Sequence, residues 1–165
     1  MRERQAFRNA RRAREFEAFV AGAAGRLLHA ATLLTAERHD DNPRARKLLT
    51  VALAHTYASW DRLRGEDPYD CVRTEIGVRF AHGAWHWSWH RHRGHRGGGV
   101  LGHLSPQERL VLVLRLFEGV GEEQVAALLG LPPERVRALH ARAMALALHP
   151  PRGPAPAELP GTAPA

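Results

Sequence analysis

A chain of 165 residues with a formal charge of +7 and a sequence pI near 11 has room for one ordinary domain or two small ones, and its charge calls for a polyanionic partner. Cys71 is the only cysteine, which excludes a disulfide framework and a thiolate zinc site. Lys47 is the only lysine, so the basic excess is arginine, whose planar fork binds two phosphate oxygens at once.

Residues 1–14, MRERQAFRNARRAR, lack apolar periodicity and are predicted to be a basic disordered arm. The arginines of this arm are not followed by an apolar leader, because Glu15 and Glu17 interrupt it. Phe16, Phe19, Val20, Ala23, Leu27, Ala30, Ala31 and Leu34 then keep helical spacing, predicting an amphipathic helix over about 15–35. No apolar run of about 18 residues is evident, so neither a membrane span nor a membrane partner is expected. Pro43 suits the start of a second helix over about 44–64, with Leu49, Leu53, Tyr57, Trp60 and Leu63 on one side. A third helix is predicted from about residue 69, with Val72, Ile76, Phe80 and Trp85 inward. These helices make a first domain over 15–93.

The glycine-rich stretch 94–103 reads as a flexible linker. The Pro/Ala-rich tail 150–165 reads as disordered. With no strand pattern and no internal repeat, the expected fold is all-α: two small helical domains joined by the linker.

The sharpest pattern lies in residues 104–149. Ser105, Pro106 and Glu108 spell an N-cap, a first helical position and a capping box. Leu110, Val113, Leu114 and Phe117 give that helix one apolar face. The turn GVGEE leads into a short helix with Val125, Ala126, Leu128 and Leu129; Gly130 ends it and Pro132-Pro133 open the next. A short helix, a glycine turn and a longer basic helix make a helix-turn-helix, whose second helix enters the DNA major groove. On that helix Val136, Leu139, Ala143 and Leu146 face inward. Ala138, Ala141 and Arg142 face outward, flanked by Arg135 and Arg137. The alanines permit close approach, and the arginines reach phosphates or guanine edges. His140 falls nearer the apolar side and is expected to pack.

The segment LSPQERLVLVLRLFEGVGEEQVAALLGLPPERVRALHARAMAL resembles the C-terminal promoter-reading domain of bacterial extracytoplasmic-function sigma factors, especially of the actinobacterial type. The element order EFEAFV…LLHAATLLT, ALAHTYASWDRL and VRTEIGVRFAHGAW resembles that family's N-terminal domain more diffusely. The resemblance implies promoter DNA and RNA polymerase core as partners, an anti-sigma protein as a further one, and a cytoplasmic, nucleoid-associated location. It places polymerase contact on the second helix, at Arg44, Arg46, Lys47 and Thr50. There the chain departs from the family: basic residues stand where carboxylates are usual, and Thr50-Val51 stand in place of a Gln-Glu pair. A reversed charge at a complementary interface costs several kcal/mol.

The stretch FAHGAWHWSWHRHRGHRGGG supports two readings. Trp85, Trp87 and Trp89 with Arg91 and Arg93 suit unpaired bases and phosphates, where the resemblance places melted promoter. His82, His86 and His90, spaced by four, are a weaker candidate for a metal, with no cysteine or carboxylate nearby in sequence to complete it. No phosphate loop, nucleophile elbow or catalytic carboxylate pair is present, so neither an enzyme, a cofactor nor a small-molecule substrate is expected. The leading expectation is a sigma-factor-like transcription protein. The alternatives are a degenerate sigma-like regulator that binds DNA or a partner without initiating, and a His-rich metal-binding protein.

Overall fold

A computed structural model describes residues 2–63, 65–88 and 99–150. Among them are six α-helices and no strand: α1 (Arg2–Thr35), α2 (Pro43–Ala58), α3 (Pro68–Ser88), α4 (Pro106–Leu112), α5 (Glu122–Leu129) and α6 (Pro133–Leu148). A π-helical turn, Val113–Phe117, prolongs α4. The predicted tail beyond Pro150 and the first half of the predicted linker, residues 94–98, lie outside the described residues.

The largest departure from expectation is at the N-terminus. Residues 2–14 are not a disordered arm but the first turns of α1. Alanine and arginine are strong helix formers and no glycine or proline interrupts them. Local side-chain pairs add support: Gln5 donates to Asn9 at 3.2 Å, Arg8 to Gln5 at 2.6 Å, and Arg11 pairs with Glu15 at 2.7 Å. By length and mean composition α1 is also apolar enough to cross a membrane, although Arg26 and His29 interrupt its apolar stretch. Its apolar face is otherwise engaged, because Leu27, Ala30, Ala31 and Leu34 are buried in the core.

The second helix stops at Ala58, short of the predicted 64, and a 3-10 turn, Trp60–Arg62, follows. The Ser59 hydroxyl donates to the carbonyls of His55 and Thr56, both at 3.2 Å, a side-chain competition that ends helices. The turn swings Trp60 onto α1, where Phe16 meets it edge-on at 5.1 Å and Tyr57 at 4.8 Å. The start of α2 is capped from outside. Glu37 accepts from the amides of Arg44 (3.2 Å) and Ala45 (2.9 Å) and from the Arg44 guanidinium (2.7 Å). Burial raises the Glu37 carboxyl, but these donors outweigh it and hold it below the ordinary carboxylate range.

The helices of the two stretches read from sequence as separate units merge their apolar faces. Leu27, Leu34, Val72 and Ile76 from the first unit share one core with Leu110, Val111, Val125 and Val136 from the second. Close approach is possible because Gly77 on α3 has no side chain: a Cβ there would sit 3.3 Å from Leu128 Cδ2 on α5. A second, smaller cluster joins Leu104, Leu112 and Ala143, with Leu101 packed on it. Residues Val100–His103 of the predicted linker therefore form a 3-10 turn docked on the second unit.

Arg109 ties the units together. Its Nη1 donates to Leu34 O at the end of α1 (2.9 Å), its Nε to Leu101 O (2.9 Å) and its Nη2 to Leu104 O (3.0 Å). Arg44 reaches the neighbouring Thr35 O at 3.2 Å. Two cations thus meet the carbonyl end of α1, where the helix dipole is negative. Burial, with Arg44's charge adding, pushes the Arg109 guanidinium down to about 10.

A second tie is centred on Glu118, whose side chain is fully buried. Tyr69 OH donates to it, 3.0 Å from each oxygen, and Arg26 Nε lies 3.7 Å away. Arg26 also donates to Phe117 O at 3.3 Å. Burial and the Glu118 charge push the Tyr69 hydroxyl up to about 12. The π-helical turn sets this up, since Glu118 N bonds back to Val113 O and the chain then leaves through Gly119 at φ +69.

Candidate nucleic-acid interface

The capping box expected at α4 forms: Ser105 N donates to Glu108 Oε2 at 2.9 Å and Glu108 N to Ser105 Oγ at 3.3 Å. Gly121 N donates to Gln124 Oε1 at 3.1 Å and opens α5. Gly130 closes α5 in the left-handed conformation, φ +62, which glycine adopts without strain. Leu131 N returns to Ala126 O at 3.0 Å, and Pro133 starts α6 with its missing N–H at a position that needs none. Val125, Ala126, Val136, Leu139 and Ala143 are buried and lock α5 against α6. The result is a helix-turn-helix, the kind of unit whose second helix can enter a DNA groove.

The outer face of α6 presents Arg135, Arg137, Ala138, Ala141 and Arg142, all exposed. The first unit packs against α4, the π-helical turn and α5, and leaves this face uncovered. The five residues expected to meet DNA therefore share one open face, but the arginines are not equivalent. Arg137 is paired with Glu122 of α5 at 2.6 Å. Arg142 is paired with Glu108 at 2.9 Å, and that carboxylate is buried. Both guanidinium-bearing chains remain over 70% exposed, so each is oriented by a carboxylate and still open to a phosphate. Among the described residues Arg135 makes no ion pair or side-chain hydrogen bond. Sequence reasoning identified Glu108 only as a cap and missed Glu122. Nothing in a linear pattern links Glu108 to Arg142, 34 positions away. His140 is half-buried, with Nε2 shielded and lacking a protein partner.

The residues proposed for polymerase divide. Arg44 is turned inward onto Glu37 and Thr35 O. Arg46, Lys47 and Thr50 are exposed, with Arg46 Nε donating to Asn42 Oδ1 at 2.9 Å and Thr50 Oγ1 to Arg46 O at 2.8 Å. The first turn of α2 carries no acidic residue. Trp85 and Trp87 fall on the last turns of α3, but the side chains of Trp85, Trp87 and His86 lie outside the described residues, as do Trp89, His90, Arg91 and Arg93. His82 is exposed. Among the described residues no group of three or more His, Cys, Asp or Glu is placed to hold a metal. Cys71 is half-buried 3.4 Å from Glu66, and burial with that carboxylate pushes its thiol up to about 11.

The fold and the open α6 face define an all-helical protein with a helix-turn-helix in its C-terminal part. Residues 100–145 match the family model of sigma-70, region 4, a DNA-binding helix-turn-helix domain. Neither the curated proteins nor the solved structures provide a match to the chain.

Proposed function

We propose that this chain is a sigma-factor-like transcription protein of the extracytoplasmic-function, actinobacterial type. It acts in the cytoplasm by binding rather than catalysis. Its C-terminal helix-turn-helix reads promoter DNA through Arg135, Ala138 and Ala141, while Arg137 and Arg142 anchor phosphates. The observation that carries this reading is the uncovered α6 face within a segment that matches sigma-70 region 4. The N-terminal unit contacts RNA polymerase core through the exposed side of α2, at Arg46, Lys47 and Thr50, and an anti-sigma protein would compete for the same surfaces. Trp85, Trp87 and Trp89 with Arg91 and Arg93 meet melted promoter. Co-elution with core polymerase and run-off transcription test the initiation role; failure of both removes it.

The basic first turn of α2 favours a second reading, a sigma-like regulator that binds DNA without initiating. Under it, the chain binds duplex DNA through α6 but neither co-elutes with core nor supports transcription. Stoichiometric zinc or nickel surviving dialysis would instead favour a metal-binding role for His82, His86 and His90.

A further inference from the structure

We propose that the N-terminal turns of α1, residues 3–11, form a second DNA-contacting element that grips the phosphate backbone of duplex DNA without reading its sequence. The proposal rests on the chain binding DNA and adds a site outside the helix-turn-helix.

Residues 2–14 hold six arginines against one glutamate. They form ordered helix, and every residue from Glu3 to Arg11 is exposed. The helix is held just beyond this stretch. Arg12 lies over the Tyr57 ring at 4.6 Å and reaches Asp61 at 3.3 Å, and Phe16 is packed between Tyr57 and Trp60. Residues 3–11 continue that helix past its clamp as a prong about 13 Å long.

Arg4, Arg8 and Arg11 follow i, i+4, i+7 spacing and occupy one side of the prong. Arg8 bonds only the neutral Gln5, and Arg11 has one exposed partner, Glu15. This arrangement is unfavourable for an isolated helix. Like charges four apart repel, and cations near a helix N-terminus oppose its dipole. A polyanion laid along the face reverses both terms. Duplex DNA suits it, with one negative charge per ~1.7 Å of axis against three cations over roughly 10 Å of helix. A lipid surface suits it less, because residues 3–11 offer one large apolar side chain, Phe7, too little for interfacial burial.

The test uses the full chain, with Arg4→Gln, Arg8→Gln and Arg11→Gln combined. Glutamine preserves helix propensity, and among the described residues the hydrogen bonds and ion pair of Arg8 and Arg11 stay within α1. Fluorescence anisotropy on a random-sequence duplex is measured across salt concentrations, with Arg137→Ala and the triple lysine variant alongside. The expected result is a salt slope reduced by about 2 to 3 and at least tenfold weaker low-salt binding, both largely restored by lysine. If Arg137→Ala weakens binding while the glutamine variant matches the unsubstituted chain, the prong is overturned and the helix-turn-helix reading stands. If the unsubstituted chain binds no duplex, both fall. Charge-dependent binding to phosphatidylserine vesicles with unchanged DNA binding would also overturn the proposal.

Discussion

The carbonyl end of α1 and the outer face of α6 use the same side chain in opposite ways. At the first, Arg109 is enclosed between helices and spends its donors on three main-chain carbonyls. At the second, Arg135 stands in solvent with no partner among the described residues. Burial lowers the affinity of the Arg109 guanidinium for its proton, and geometry alone keeps it useful. On α6 the guanidinium is cheap to keep charged, and its position is useful only to a ligand. An arginine is structural here when neighbouring helices leave carbonyls unsatisfied, and available when they do not.

The largest predicted effect is at the inward arginine. Arg109→Met keeps the apolar stem but strands three carbonyls, and should lower unfolding free energy by about 2–4 kcal/mol in urea melts. A loss below about 1 kcal/mol would remove the distinction drawn between the two regions. Gly77→Val pushes a branched side chain towards Leu128 where the units meet, and should cost about 1–3 kcal/mol. Because the core is shared, one cooperative transition is expected; two separated transitions would show that the units are independent.

On the outward face, Arg135→Ala should leave stability within about 0.5 kcal/mol but weaken promoter binding by about 1–3 kcal/mol in anisotropy titrations. Arg142→Ala should do both in part, since it also strips the buried Glu108 of its cation. The smallest effect belongs to Glu122→Gln: a stability change under about 1 kcal/mol, with slightly tighter DNA binding because a competing carboxylate is gone.

The seam at Glu118 has its own signature in pH. With Tyr57→Phe removing the other tyrosine, the tyrosinate absorbance of Tyr69 should rise near pH 12. Glu118→Gln should bring it back towards 10. A folded value above the unfolded one means the native state holds the proton longer. Tyr69's contribution to stability is therefore full below about pH 10 and lost between about 10 and 12. An unshifted titration would open the seam.

Several features were legible because they depend on neighbours in sequence. Ser105, Pro106 and Glu108 form their capping box, Gly130 takes its left-handed turn, and Val136, Leu139 and Ala143 turn inward as their spacing requires. Residues 2–14 were not legible as a helix because they lack the apolar face that announces one. Alanine and arginine hold helical backbone without such a face. The docking of Val100–His103 was equally hidden, since it depends on Leu101 and Arg109 finding partners outside the glycine-rich stretch.

Sequence alone determined the helical class, the helix-turn-helix and the identity of its outward residues, because caps, turns and 3.6-residue periodicity act within a few positions of chain. Tertiary structure decided that two helical units share one core, that Arg109 and Glu118 fasten them, and that Glu108 and Glu122 orient Arg142 and Arg137. It also left Arg135 uncommitted. These outcomes depend on which helices pack together and which polar groups that packing buries, and those pairings join side chains from 15 to more than 90 positions apart.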